Sequence, residues 1–419
     1  MALHAVMRTG PAMRLARALR RLEALTDWER ADRRGMRVDG TPCADLWRHL
    51  GEPHRSFRAV HVSGSKGKGT VCALVSAALE SAGFSVGTFT SPHVESLSER
   101  VRIDGLPVSD DALSAALHAT ADAHEAATAA GSAGARATWF DALVAAALWS
   151  MREARVDWGV VECGLGGAHD STAALGAELA VLTSAELEHV EVLGSDLCGI
   201  AREKAGIVSR GGSLVGVLEG APAAGAMAVA RERGAHAVLM LPPPAEPLGP
   251  HGNLATARAA LDELGRRGAR CRTEPRARVG GWLLDDARTR EAAALRLPAR
   301  QESRASACGV DVLVDGAHTP ASARALIAAV RGATPPAAAA SRSAPVLLVG
   351  VAKGKDAAGI CGALAAAEPA LCVCTSASSS EELAALCTPP SELVGAMLGA
   401  GVGSARAVAE VDAALAEAV

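Results

Sequence analysis

Seven consecutive residues rich in glycine and lysine form the strongest chemical feature of the sequence. Residues 64–70 read GSKGKGT, between an apolar β-run at 57–63 and a helical pattern that begins near residue 68. In that context glycines let backbone amides approach phosphate oxygens, a lysine neutralises the β- and γ-phosphates, and a threonine hydroxyl contacts phosphate or magnesium. The motif is shorter than the common GxxxxGK[ST] loop. Taken alone, it could therefore also be a flexible turn between strand and helix. The candidate nucleotide-binding residues are Gly64, Ser65, Lys66, Gly67, Lys68, Gly69 and Thr70.

One acidic residue ends another apolar run. Residues 158–163 read WGVVEC, a pattern typical of a buried parallel strand, and Glu162 stands near the end of that run. Ligands of doubly wound sheets bind at the carboxyl ends of the strands, and Mg-ATP requires hard oxygen ligands. Glu162 is therefore the best candidate for a metal ligand.

The elements that must position these residues alternate between strand and helix. Strand-like runs occur at 57–63, 85–90, 158–163, 179–183 and 214–218, and helical patterns occur at 110–130 and 139–155. This alternation predicts an α/β fold with a P-loop-type doubly wound parallel sheet. A proline-rich run at 242–251 predicts a linker between an N-terminal domain at 1–241, which would bind ATP, and a smaller α/β domain at 252–419, which we expect to be truncated.

Composition argues against several classes of function. The chain has 419 residues, a net charge of −4, no tyrosine and only four phenylalanines, so a nucleic-acid partner is not expected. The ten cysteines form no CxxC pair, which indicates reduced core residues rather than a structural zinc site.

Neither a membrane span nor a secretory signal is expected, since no apolar run approaches the roughly 20 residues that a span needs. The first 22 residues hold five arginines and no acid. They fit either an organelle transit peptide or a basic first helix, and the spacing of Leu15, Leu19 and Leu22 favours a helix packed onto the domain. We expect a cytoplasmic protein, with a mitochondrion or plastid as alternatives.

Residues 61–70, HVSGSKGKGT, resemble the nucleotide loop of the folylpolyglutamate and dihydrofolate synthase family, which belongs to the Mur ligase superfamily. Further blocks follow in that family's order: TSPH at 90–93, ERVRI at 99–103, ECGLGG at 162–167, EH at 188–189 with LG at 193–194, EKAGI at 203–207 and DGAHTP at 315–320. Their joint occurrence is far more specific than any one of them.

The resemblance implies a set of metal ligands and nucleotide contacts. The metal set would be Thr90 or Ser91 with Glu162 for one magnesium ion, and His189 with Lys204, carried as a carbamate, for a second. The additional ATP contacts would be Asn253, Arg300 and Asp315 in the second domain. The catalytic residues would be Lys68, Lys204, His189 and Arg300. Lys68, Arg300 and the two magnesium ions would stabilise the transferring phosphoryl group, and His189 and Lys204 would act as ligands of the second ion.

The resemblance also implies substrates and a reaction. A pterin would lie against Thr138, Trp139, Phe140 and Asp141, and against His169, Asp170 and Ser171. A dihydropteroate or folate carboxylate would attack ATP to give an acyl phosphate, and L-glutamate would then form the amide. The protein would be a monomeric enzyme of folate biosynthesis and one-carbon metabolism that uses ATP and Mg²⁺.

Two other functions stay open. Departures from the family pattern at Ala173, Thr319 and the end of the chain are compatible with a nucleotide-binding module that has lost ligase chemistry. A Mur-type ligase acting on another acid would share the same chemistry.

Overall fold

In the computed structural model the chain forms two compact units, Met1–Pro298 and Ala299–Val419. The structure describes residues 11–28, 36, 38–240, 250–294, 298–300, 302–305, 310–332, 344–376 and 384–418. Within these ranges no helix is long and apolar enough to cross a membrane.

The described part of the first unit is built around an eight-stranded sheet with the order β4-β3-β2-β5-β1-β6-β7-β8. Its strands are β1 (Arg58–Ser63), β2 (Val86–Phe89), β3 (Val101–Ile103), β4 (Leu106–Pro107), β5 (Trp158–Glu162), β6 (Leu179–Leu182), β7 (Ser213–Val217) and β8 (His236–Met240). All pair in parallel except β3 and β4, which are antiparallel additions at one edge. The predicted doubly wound α/β sheet is confirmed, and its central strands are buried because helices cover both faces.

The described helices of the first unit include those predicted from near residue 68, at 110–130 and at 139–155. They are α1 (Pro11–Leu22), α2 (Thr41–His49), α3 (Lys68–Ser81), α4 (Asp110–Ala130), α5 (Trp139–Glu153), α6 (Val190–Leu193), α7 (Leu197–Ala205), α8 (Gly220–Glu232), α9 (Pro250–Arg266) and α10 (Ala287–Ala294). Helix α1 buries Ala18 and Leu22, and its Arg14 pairs with Asp111 of α4 at 2.6 Å. The predicted packing of a basic first helix onto the domain is therefore confirmed.

The boundary between the units differs from the predicted one. Residues 242–249 of the predicted linker lie outside the described residues, but α9 packs on the first unit. Its Ala257, Leu261 and Leu264 are buried in one cluster with Val60 of β1. The segment 252–298, which the sequence prediction assigned to the second domain, thus belongs to the first unit. A proline-rich run marks a change of element, whereas the apolar face of the next helix decides which core it joins.

The second unit is a smaller α/β body, as predicted. Strands β9 (Glu302–Ala305) and β10 (Asp311–Val314) form an antiparallel pair. Strands β11 (Val346–Val349), β12 (Leu371–Cys374) and β13 (Ala405–Ala407) form a parallel sheet. Its helices are α11 (Pro320–Gly332), α12 (Ala357–Ala365), α13 (Pro390–Gly399) and α14 (Val411–Ala418).

Candidate active site

The glycine-rich loop joins the central strand β1 to α3 at the carboxyl edge of the sheet. Gly64 and Gly67 have φ angles of 145° and 83°, which disfavour any residue with a side chain. A Cβ on Gly64 would collide with Thr183 Oγ1, and one on Gly67 would collide with the side-chain oxygen of Asn253. The predicted context of the loop is confirmed, and Asn253, although it belongs to the first unit, lies against it.

The end of the neighbouring strand β6 fixes the conformation of the loop. Ser65 donates its backbone N–H to the Ser184 carbonyl at 3.0 Å, and Lys66 donates its own to Ser184 Oγ at 2.9 Å. Thr183 Oγ1 donates to the Lys66 carbonyl at 2.6 Å. Sequence reasoning missed these two supporting residues, although their place directly after a predicted parallel strand was a usable signal.

Lys68 is the first residue of α3, and its side chain folds back over the loop. Its Nζ donates to the Gly64 carbonyl at 2.9 Å. The positive end of the helix dipole and the first amides of α3 lie at the same place. Loop and helix together provide amides, a cation and, on Thr70, a hydroxyl for an anion.

Glu162 ends β5, the strand beside β1, and pairs in register with Val62. It is only 4 % exposed and accepts a hydrogen bond from the Ser91 backbone N–H at 2.9 Å. The N–H of Thr90 is used within the structure, since it donates to the Arg100 carbonyl at 3.0 Å. The structure therefore brings Glu162, Ser91 and the glycine-rich loop to one edge of the sheet.

Lys204 on α7 is 2 % exposed, and its Nζ lies 3.2 Å from Glu188 Oε1. Burial lowers the pKa of Lys204, the charge of Lys68 lowers it further, and Glu188 opposes both effects. Burial would raise the pKa of Glu188, but Lys204, Lys68 and Lys66 outweigh it and the net shift is downward. Glu188, which was not among the predicted site residues, interacts both with the lysines of the loop and with Lys204.

His189 immediately follows Glu188 and has a left-handed backbone, with φ 49°. Its Nδ1 lies 3.9 Å from Glu191 Oε1. Among the residues that the structure describes, no three His, Cys, Asp or Glu side chains converge on a common metal position. The predicted metal ligands are of other kinds: besides Glu162 and His189, they are the hydroxyls of Thr90 or Ser91 and the carbamate of Lys204.

The two segments predicted to contact a pterin lie side by side. Thr138 caps α5, and its N–H and hydroxyl donate to Asp141 Oδ2 at 2.7 and 2.8 Å. Trp139 and Phe140 are half-buried against the core, and a Cβ on Gly164 would lie 2.6 Å from the Phe140 ring. Burial raises the pKa of Asp141, which Ser171 and Thr138 counteract by hydrogen bonding.

The members of the second pterin segment differ in accessibility. His169 is exposed, and its Nδ1 lies 2.9 Å from Glu203 Oε2. Asp170 is 2 % exposed and accepts hydrogen bonds from the backbone N–H groups of Leu165 and Thr172 at 2.8 and 3.0 Å. Burial raises the pKa of Asp170 in spite of these bonds. Its carboxylate organises its own loop.

Arg300 and Asp315 meet within the second unit. The N–H of Gly316 donates to the Ala299 carbonyl at 2.8 Å, and a Cβ on Gly316 would lie 3.3 Å from Arg300 Nη1. Asp315 directly follows β10 and is half-buried. The two predicted nucleotide contacts of this unit are therefore adjacent.

Comparisons with known proteins find relatives of one named kind. The chain is 40% identical over 167 residues to the dihydrofolate synthase/folylpolyglutamate synthase of Mycobacterium tuberculosis, a match that covers 38% of this chain and 34% of that protein. It is 40% identical over 146 residues to the Escherichia coli protein of the same name, covering 35% and 33%. The matched segment thus spans about a third of the length of these relatives. No family model matches the chain.

Solved structures extend the similarity beyond the matched segment. Folylpolyglutamate synthase of Mycobacterium tuberculosis, complexed with ADP and AMPPCP, superposes with a TM-score of 0.76 at 25% identity, covering 98% of this chain and 91% of that one. E. coli FolC in complex with DHPP and ADP gives a TM-score of 0.74 at 25% identity, covering 98% and 92%. The chain is homologous to folylpolyglutamate and dihydrofolate synthases, and it shares their fold over nearly its whole length.

Proposed function

We propose that the protein is an ATP-dependent ligase that joins the carboxylate of a pteroate or folate to the amine of L-glutamate. The observation that carries this proposal is the convergence of three groups at the carboxyl edge of one sheet. These are the glycine loop with Lys68, the nearly buried carboxylate of Glu162, and the Lys204–Glu188 pair. The relatives of known name and the ADP-bound solved structures support the same function.

The loop and Lys68 would bind the triphosphate. The amides of residues 67–70, at the end of the loop and in the first turn of α3, would donate to phosphate oxygens, since those of Ser65 and Lys66 already donate to Ser184. Lys68 would turn from the Gly64 carbonyl to the β- and γ-phosphates. Asn253 would contact the nucleotide beside Gly67. Arg300 and Asp315 stay predicted contributors from the second unit.

The donor set at the sheet edge fits magnesium. Glu162 with Ser91 or Thr90 would hold one ion, and His189 with a Lys204 carbamate would hold a second. Bound magnesium would neutralise charge on the phosphoryl group. The burial of Lys204 fits carbamate formation, because its lowered pKa favours the neutral amine that CO₂ requires.

The chemistry requires two group transfers. The substrate carboxylate oxygen bonds to the γ-phosphorus as the bond to ADP breaks, which gives an acyl phosphate. The glutamate amine then attacks the acyl carbon. The bond from that carbon to the bridging oxygen breaks, phosphate leaves with this oxygen, and the amine nitrogen loses a proton. The protein acts by positioning and by electrostatic stabilisation. Residues 138–141 and 169–171 would hold the pterin.

We also infer a cytoplasmic monomer.

The direct test is glutamate-dependent ADP release with dihydropteroate, tetrahydrofolate and a muramyl substrate in parallel. We expect release with at least one of the pterin substrates and a loss of at least about 10²-fold in the Lys68→Ala and Glu162→Ala variants. Both variants should remain folded at the assay temperature. Glu274→Ala, an exposed site on the first unit, is the matched control.

Each contrary result has a defined meaning. Release only with the muramyl substrate would indicate a Mur-type ligase. No release with any acid would indicate a module without ligase chemistry. Near-normal turnover in either variant would remove that residue from the catalytic assignment.

A further inference from the structure

Strand β1 presents two buried polar side chains to the segment that follows Glu162. His61 and Ser63 are both 0 % exposed, and their spacing of two places them on the same face of the strand. Ser63 Oγ donates to the Gly166 carbonyl at 2.9 Å. His61 Nε2 lies 2.7 Å from Thr172 Oγ1 and 3.0 Å from Cys163 Sγ. One strand therefore contacts the beginning, middle and end of the segment 163–172.

The direction of these hydrogen bonds follows from their partners. Thr172 Oγ1 donates its proton to Asp170, so it accepts from His61 and Nε2 must carry the hydrogen. Burial lowers the pKa of His61 to about 3, so the imidazole is neutral at physiological pH. A continuous chain thus runs from His61 through Thr172 to Asp170, whose carboxylate also accepts from the Leu165 N–H.

The segment 163–172 needs such support because the pairing of β5 with β1 ends at its first residue. The last parallel contact with β1 is the hydrogen bond from the Cys163 N–H to the Val62 carbonyl at 2.9 Å. Beyond it come three glycines, at 164, 166 and 167, which have the greatest backbone freedom to lose on ordering. Contacts from outside the segment therefore add to those that Asp170 makes within it, and Glu162 is the residue immediately before it.

We propose that His61 is a positioning residue that, through Thr172 and Asp170, holds the segment 163–172 and so orients the Glu162 carboxylate toward the metal. The inference rests on the proposed function, because it takes Glu162 to be a metal ligand. Loss of a group that orients a metal ligand typically weakens metal affinity by about 10- to 100-fold. Because His61 acts through intermediates, we expect the lower end of that range.

The experiment measures Mn²⁺ binding to the full-length protein with a non-hydrolysable ATP analogue, from the electron paramagnetic resonance of free Mn²⁺. We expect His61→Leu to raise the apparent Kd for Mn²⁺ by about 10-fold. Thr172→Val, which has nearly the same shape and no hydroxyl, should do the same even if His61→Leu folds poorly. His61→Gln keeps an N–H donor at similar reach and should restore near wild-type binding. Binding of the nucleotide in EDTA should be unchanged in all three.

Two reference variants separate this inference from the proposed function. Glu162→Gln should weaken Mn²⁺ binding strongly, and His54→Leu, which alters a half-buried histidine beside Trp47, should leave it unchanged. If Glu162→Gln weakens binding while both His61→Leu and Thr172→Val bind Mn²⁺ as the wild type does, the positioning role of His61 is overturned and the proposed function is not affected. If Glu162→Gln binds Mn²⁺ normally, the metal assignment of the proposed function is overturned, and the role of His61 with it.

Discussion

The Lys204–Glu188 pair shows how burial and neighbouring charge compete at a single residue. Burial of Lys204 and repulsion by Lys68 both favour the neutral amine, whereas Glu188 at 3.2 Å favours the ammonium form. The net shift is downward, so the first two effects prevail. A carbamate at this position would replace repulsion between two lysines by attraction to Lys68. Burial and the charge of Lys68 therefore favour the modification that the family resemblance implies, whereas the negative charge of Glu188 opposes it.

We predict that Lys204 reacts with CO₂ in the native protein. In ¹³C-bicarbonate the wild type should show a carbamate carbon signal by NMR, and the Lys204→Arg variant should lose it. Because the pKa of Lys204 is lowered, the signal should rise with pH and should begin at a lower pH than for an exposed lysine. Lys66→Arg, at the neighbouring loop lysine, should retain the signal. A wild type without it would contradict the carbamate assignment.

At the scale of elements, helix α9 is attached to the sheet by one buried carboxylate. Glu263 is 3 % exposed and accepts hydrogen bonds from Ser213 at the start of β7 and from Arg266 of its own helix, the latter at 2.6 Å. His236 Nδ1 at the start of β8 lies 3.2 Å from the same carboxylate. Burial would raise the pKa of Glu263, but these donors outweigh it and lower the pKa to about 2. The carboxylate therefore links α9 to the amino ends of two strands.

We predict that Glu263→Gln lowers the free energy of unfolding by about 1–3 kcal/mol at pH 7, because the amide has one acceptor oxygen in place of two and its NH₂ group would face a donor. A carboxyl whose folded pKa is lowered stabilises the fold above its unfolded pKa, and that stability is lost as pH falls through the folded pKa. The difference between wild type and variant should thus shrink from about pH 4.5 toward pH 2. Urea unfolding at several pH values measures it.

Glu274→Gln, at an exposed carboxyl of the same unit, is the control and should unfold as the wild type does at every pH. A Glu263→Gln variant with unchanged stability at pH 7 would show that the buried carboxylate contributes no net stability.

At the scale of the whole molecule, the first core extends well past the proline-rich run. Leu261 and Leu264 of α9 and Leu284 further along are each 0 % exposed and join the cluster around α3. A protein that ends at residue 249 would leave β7 and the adjoining surface of α3 uncovered on that face of the sheet. The first unit should therefore require the chain up to Pro298.

We predict that a fragment of residues 1–298 unfolds cooperatively, whereas a fragment of residues 1–249 melts at least about 10 °C lower or fails to fold. Each buried leucine contributes about 1.5–3 kcal/mol, and 1 kcal/mol corresponds to about 2–4 °C for a unit of this size. Circular dichroism melting of both fragments checks this. Equal melting temperatures would contradict the assignment of α9 and α10 to the first core.

The sequence by itself determined the features that depend on local order. The GSKGKGT loop between strand and helix, the apolar run ending in Glu162, and the alternation of elements are all written in neighbouring residues, because strand and helix periods and glycine conformations are local properties. The fold class and the convergence of Glu162 with the loop followed from them, since parallel strands meet at their carboxyl ends. The parallel β8 and the antiparallel pair β3–β4 were not predicted.

Tertiary structure decided what depends on residues far apart in the chain. The pairing of Lys204 with Glu188, the support of residues 64–66 by Thr183 and Ser184, and the contact of His61 with Thr172 all join segments that no spacing rule connects. The unit boundary is of the same kind, because a helix joins whichever core its apolar face can cover. Burial and long-range hydrogen bonding belong to the folded chain as a whole, and only the fold assigns them to particular residues.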